Sequence, residues 1–108
     1  MSKTLSKYAT IFDNCCTGWT KDKDHNLMFL KIQENYANEL LKGRGWLFLR
    51  DVYQMLGIPI TKESCIVGWI YEENNQIGDN FVTFDIQVDD SPNIVLDFNV
   101  DGNIIERL

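Results

Sequence analysis

The sequence is poor in the residue types that mark most small functional sites. Its 108 residues hold one histidine (His25), two prolines (Pro59 and Pro92) and three cysteines (Cys15, Cys16 and Cys65). An odd cysteine count with two neighbours adjacent is no disulfide framework. There is no CxxC pair and no Cys/His cluster, which excludes the usual donor sets of structural zinc. Three free thiols fit a reducing cytoplasm. No stretch approaches the run of about 18 apolar residues needed to cross a bilayer. The first residues, Met1 to Cys16, contain two lysines but no long apolar run, so no signal peptide is expected. Positive charge is almost missing from the second half: residues 66–108 carry Arg107 as their one basic residue against nine Asp/Glu.

What is present is a mildly basic first part and a strongly acidic second. Residues 1–65 hold nine Lys/Arg and seven Asp/Glu, and the whole chain has a formal net charge of −6. That balance excludes a polycation that coats nucleic acid or an anionic membrane. An apolar content of 44% excludes a disordered chain, and the length suits one core. A single domain over 1–108 is expected, helical over about 1–67 and a β meander over about 68–108.

Residues 25–42 read as the clearest helix. Asp22 or Asp24 suits its N-cap, and Phe29, Ile32, Tyr36 and Leu40 recur at steps of three and four. Leu30, Ala37 and Leu41 widen that stripe, and Lys31, Glu34, Asn35, Asn38 and Glu39 fill the opposite side. Gly43 is the expected left-handed stop. Before it, Tyr8, Ile11 and Phe12 suit one side of a short helix. Residues 45–49 read as a buried strand and 50–56 as two helical turns closed by Gly57. Thr61 to Val67 reads as another short helix, with Ser64 where a capping box would carry Glu. From Gly68 the period changes to two. Strands are expected at 69–71, 81–88, 94–100 and 103–108. The fold class is α+β, with N-terminal helices packed on one face of a C-terminal antiparallel sheet of about four strands.

The sharpest local pattern is Asp97-Phe-Asn99-Val-Asp101-Gly102, which matches the start of a calcium-binding EF loop. Position twelve should be a bidentate Glu and is Leu108, and the flanking residues alternate like a strand. The preferred reading is a hairpin closed by Asn99 to Gly102 as a type I turn. Asp97, Asn99 and Asp101 remain the calcium candidates, and Asp89, Asp90, Asp97, Asp101 and Glu106 could cluster around a cation or form the solvated face of an edge strand. His25, beside Asp24 at a helix start, is expected in solvent rather than in a nucleophilic dyad with Cys15 or Cys16. Gly43-Arg44-Gly45 lacks the spacing of a phosphate loop. No catalytic residue, metal or cofactor is assigned, and an enzyme is not expected. Trp46 and Trp69 sit in apolar runs and read as core. Trp19, with the acidic Glu72, Glu73, Asp79, Asp89 and Asp90, is the candidate interaction set.

Residues 46–57, a strand leading into Asp51-Val-Tyr-Gln-Met-Leu-Gly57, loosely resemble the start of DNA-binding modules in phage antirepressors. Lys42, Arg44, Arg50 and Lys62 would then contact phosphates. More broadly, Gly45 to Pro59, Val67-Gly-Trp-Ile-Tyr71, Ile77 to Phe84 and Val95 to Ile104 together resemble a family of uncharacterised prophage and mobile-element proteins of Gram-positive bacteria, over about residues 45–105. The resemblance implies a phage-related, virion-associated or cytoplasmic bacterial protein, and brings no catalytic residues. The leading expectation is a non-enzymatic protein that binds another protein. The alternatives are a DNA-binding regulator built on residues 46–67 and an inhibitor whose acidic sheet imitates nucleic acid. No membrane contact is expected, and the sequence names neither the partner nor the oligomeric state.

Overall fold

The computed structural model describes residues 6–75, 78–88 and 93–105. The first element is a strand, β1 (Ala9–Phe12), followed by the long helix α1 (Lys23–Arg44), the strand β2 (Trp46–Phe48) and the helix α2 (Leu49–Leu56). A single 3-10 turn, Glu63–Cys65, leads into β3 (Val67–Ile70), and the chain ends in β4 (Gln87–Val88), β5 (Ile94–Asp97) and β6 (Gly102–Asn103).

The class is α+β, but the sheet differs from the one expected. Among the described residues there are two three-stranded antiparallel sheets, ordered β1-β5-β4 and β2-β3-β6. The two strands flanking α1 enter different sheets: β2 pairs with β3, and β1 pairs with β5 from Ala9 opposite Asp97 to Phe12 opposite Ile94. The expected short helix at Tyr8 to Phe12 is therefore a strand, which β-branched Thr10 and Ile11 favour. The expected hairpin at Asn99 to Gly102 is also replaced. After β5 the chain crosses to the other sheet, where β6 pairs with β3. Asp101 N–H donates to Gly68 O (2.8 Å) and Ile104 N–H to Ile66 O (3.1 Å), and Gly102 takes φ +114° to make the bend. Gly68 has no room for a side chain, because a Cβ there would run into the Leu47 carbonyl of the neighbouring strand.

Local signals explain the helices. The Asp22 carboxylate accepts the His25 N–H (3.2 Å) and caps α1. The helix runs through Gly43 and stops at Gly45 (φ +83°), whose N–H donates to Leu41 O (2.7 Å). The Asp51 carboxylate receives the Phe48 N–H (3.2 Å) at the start of α2, and Gly57 (φ +75°) closes it as expected. Thr61 to Val67 forms only the 3-10 turn. Ser64 nevertheless completes a reciprocal pair there: Ser64 N–H donates to Thr61 Oγ1 (3.2 Å) and Thr61 N–H to Ser64 Oγ (3.0 Å).

The main core joins Phe12, Leu30, Leu41, Leu47, Val52 and Leu56 to Trp69, Phe84, Leu96 and Phe98. At about 1.5–3 kcal/mol for each fully buried large apolar side chain, this cluster is the dominant stabilising term. A smaller cluster of Phe48, Ile70 and Ile104, with Trp46 against it, sits on the β2-β3-β6 sheet.

Candidate interaction surface

Helix α1 is the element whose two sides decide the surface. Its buried line is Asn26, Leu30, Glu34, Ala37 and Leu41. The phase therefore differs from the expected one: Ile32 and Tyr36 lie outside, and Glu34 lies inside. The reason is polar. Segment 81–86 runs beside α1 without a partner strand on that side, and α1 side chains bond its backbone. Asn38 Nδ2 donates to Val82 O (2.9 Å) while Val82 N–H donates to Asn38 Oδ1 (2.7 Å). Glu34, 8% exposed, takes the Phe84 N–H on Oε2 (2.8 Å) and pairs through Oε1 with Lys31 Nζ (3.1 Å). Asn26 repeats the pattern with Thr20, accepting its N–H (2.9 Å) and donating to its carbonyl (2.8 Å). Buried polar groups of this kind persist because each is hydrogen-bonded.

The opposite side of α1 carries Met28, Ile32 and Tyr36, exposed at 65%, 56% and 50%. Their spacing of four stacks them in one row along the helix. Sequence periodicity did not find this row because both sides of α1 carry apolar residues at steps of three and four. The available signal was that Asn26, Glu34 and Asn38 keep step with Leu30 and Leu41.

The acidic candidates are distributed differently. Glu72 and Glu73 are exposed in the loop after β3, whose backbone is tied by Asn80: Glu72 N–H donates to Asn80 Oδ1 (3.2 Å), and Asn80 Nδ2 to Glu72 O (2.7 Å). Asp79 is exposed and accepts Asn99 Nδ2 (3.1 Å). Asp89 and Asp90, with Glu106, lie outside the described residues. Trp19 is half-buried against the main core, and Trp69 is buried within it. Trp46 is half-buried under the Arg44 guanidinium, 4.0 Å from the ring centre.

The three calcium candidates hold the chain together. Asp97, 8% exposed, receives the Ser6 N–H (2.9 Å) and hydroxyl. Asn99 Oδ1 accepts Trp69 Nε1 (2.9 Å) and Thr83 N–H (2.8 Å), and its Nδ2 also donates to Phe81 O (3.0 Å). Asp101 Oδ2 receives the Ile70 N–H (3.0 Å), and its carboxylate fills the space a side chain at Gly78 would need. Among the described residues, no three His, Cys, Asp or Glu side chains are grouped to hold a metal ion.

The described residues also line concavities. One of about 240 Å³ lies between β1 and α2, lined by Lys7, Tyr8, Thr10, Tyr53 and Glu63, with Lys7 and Glu63 paired across it (3.6 Å). It falls below the usual ligand-pocket range of about 300–1,000 Å³. A more open one of about 350 Å³ lies over Ser6, Thr83, Asp85 and Asp97. Burial pushes the Tyr53 hydroxyl up, with the Glu63 charge adding to it. The Cys16 thiol is raised as well, chiefly by burial. His25 is exposed at the start of α1, and Cys15 is exposed. Among the described residues, no helix is long and apolar enough to cross a membrane. No curated protein and no solved structure matches the chain. A family model does match, over residues 1–108: the chain belongs to a family of unknown function (DUF6353).

Proposed function

We propose that this is a non-enzymatic binding protein of a prophage or mobile element, which acts by docking the outer face of α1 on another protein. The observation that carries the reading is the Met28–Ile32–Tyr36 row, apolar and exposed on the most regular element of the fold. An exposed apolar row on a rigid helix is the feature that helix-docking interfaces use. The other readings find less support. The DNA-binding reading uses a second helix at Thr61 to Val67, where a 3-10 turn stands, and Arg44 is paired with Asp51 (3.3 Å). The nucleic-acid-mimic reading has outward carboxylates in Glu72, Glu73 and Asp79, but Asp97 and Asp101 are turned onto the chain's own donors, at Ser6 and Ile70. The prophage assignment comes from the sequence resemblance at residues 45–105.

A photo-crosslinking amino acid at position 32, in cells carrying the element, tests the docking face. A discrete adduct heavier than the chain is expected, absent when the crosslinker sits at the exposed position 54 of α2. No adduct at position 32 would remove the reading. The virion version is checked separately, by looking for the protein in purified particles after induction; its absence there would leave a cytoplasmic role.

A further inference from the structure

We infer that the partner of the α1 face is a second copy of this chain, docked as an antiparallel helix pair centred on Ile32. The inference rests on the docking reading above and names its occupant.

The exposed residues of α1 are arranged symmetrically. His25, Met28, Ile32, Tyr36 and Glu39 are all exposed. At about 3.6 residues per turn they lie within about 40° of one line along α1. Their positions mirror about Ile32: Met28 and Tyr36 are each four residues away, and His25 and Glu39 each seven. A twofold axis through an antiparallel helix pair makes each residue before the centre face one the same distance after it. Ile32 then meets Ile32, and Met28 meets Tyr36 twice, a favourable sulfur–aromatic pairing. His25 meets Glu39 twice, basic against acidic. The antiparallel arrangement also sets the positive end of each helix dipole beside the negative end of the other. A parallel pair would instead place His25 on His25 and Glu39 on Glu39. The imidazole–carboxylate pairing and the opposed dipoles thus favour a second copy in the antiparallel direction. The apolar row is narrow, which puts the pair at the small end of specific interfaces and in the micromolar range of affinity.

Sedimentation equilibrium on the purified protein tests this. A monomer–dimer equilibrium is expected, and a monomer throughout up to about 0.5 mM would overturn it. Ile32→Asp should leave a folded monomer, since the side chain is already exposed; circular dichroism checks the fold. His25→Glu and Glu39→Lys should each weaken the dimer by at least about fivefold, because each change acts at two symmetric pairs. Mixing the two variants should restore association, since each then offers the charge the other lacks. Dimers that ignore these substitutions, or variants that fail to complement, would overturn the antiparallel pair. The crosslink at position 32 separates the two levels of the argument. An adduct of twice the chain mass supports self-pairing. An adduct with a different protein, together with a monomer in sedimentation, would sink self-pairing and leave the docking face standing.

Discussion

Two asparagines on α1 do the work of a peptide group. Asn26 and Asn38 each pair a side-chain amide with both backbone groups of one extended residue, Thr20 and Val82. A primary amide offers donor and acceptor together, so one side chain replaces one rung of a strand ladder. Asn38→Asp keeps the acceptor and loses the donor, and adds a charge one turn from Glu34. It should cost about 2 kcal/mol, since it leaves the buried Val82 carbonyl without its bond. The melting temperature should fall by about 10 °C on that basis. Glu34 allows a sharper comparison. Glu34→Gln retains an acceptor for the Phe84 N–H and should stay within about 1 kcal/mol, whereas Glu34→Leu should cost about 2–3 kcal/mol. Amide exchange at Phe84 should rise only in the second. Cys16 and Tyr53 supply a pH effect with a definite sign. Both are raised by burial, above 9.0 for the thiol and 10.0 for the phenol, so the folded state holds these protons more tightly than the unfolded chain. Their contribution is complete below those values and is lost as pH rises through the folded ones. Denaturation midpoints should fall in the alkaline range, less steeply in Cys16→Ala.

At the scale of elements, the end of α1 separates two glycines that look alike in sequence. Gly43 is inside the helix with open space around it, and Gly45 is the left-handed cap. Gly43→Ala should stabilise by about 0.5–1 kcal/mol, and Gly45→Ala should destabilise by about 1 kcal/mol or more. Equal effects in a melting series would contradict the placement of the stop. The same region shows what sequence could tell. The existence of α1, Asp22 as one of its two cap candidates, β2, α2 with its Gly57 cap and β3 was legible, because each depends on neighbours in the chain. The inner phase of α1 was not. Ile32 and Tyr36 extend the apolar period as well as Leu30 and Leu41 do, and only the distant backbone of Val82 and Phe84 selects the side with Asn38 and Glu34. The alternation of residues 81–88 promised a full strand, but only Gln87–Val88 pairs as β4. The N–H groups of Thr83 and Phe84 find side-chain partners instead, while their carbonyls accept the Asn99 and Asp97 N–H groups.

For the whole molecule, the crossing from β5 to β6 is the organising event. Asn99 joins Trp69 of one sheet to Thr83 beside the other, and Asp101 holds β3 at Ile70. Asn99→Ala should therefore cost about 3 kcal/mol and alter Trp69 fluorescence, because several buried donors and acceptors lose their partner together. Millimolar calcium should leave the melting temperature unchanged, since Asp97, Asn99 Oδ1 and Asp101 Oδ2 already serve the chain's own donors; a rise would show that the segment opens to bind the ion. The pairing of β1 with β5 has a consequence in time. Its partners stand between 82 and 88 residues apart in sequence. On the ribosome, β1 emerges long before its partner, and its sheet forms only after nearly all the described chain has been made. Pairings of such long sequence separation close slowly. Until then both edges of β1 are open to any strand nearby, and one stays open in the folded sheet, where Ile11 is exposed. Refolding should accordingly show α1 and α2 gaining structure before the Phe12 and Ile94 amides become protected, and the interval between them is when the nascent chain is most exposed to misassembly.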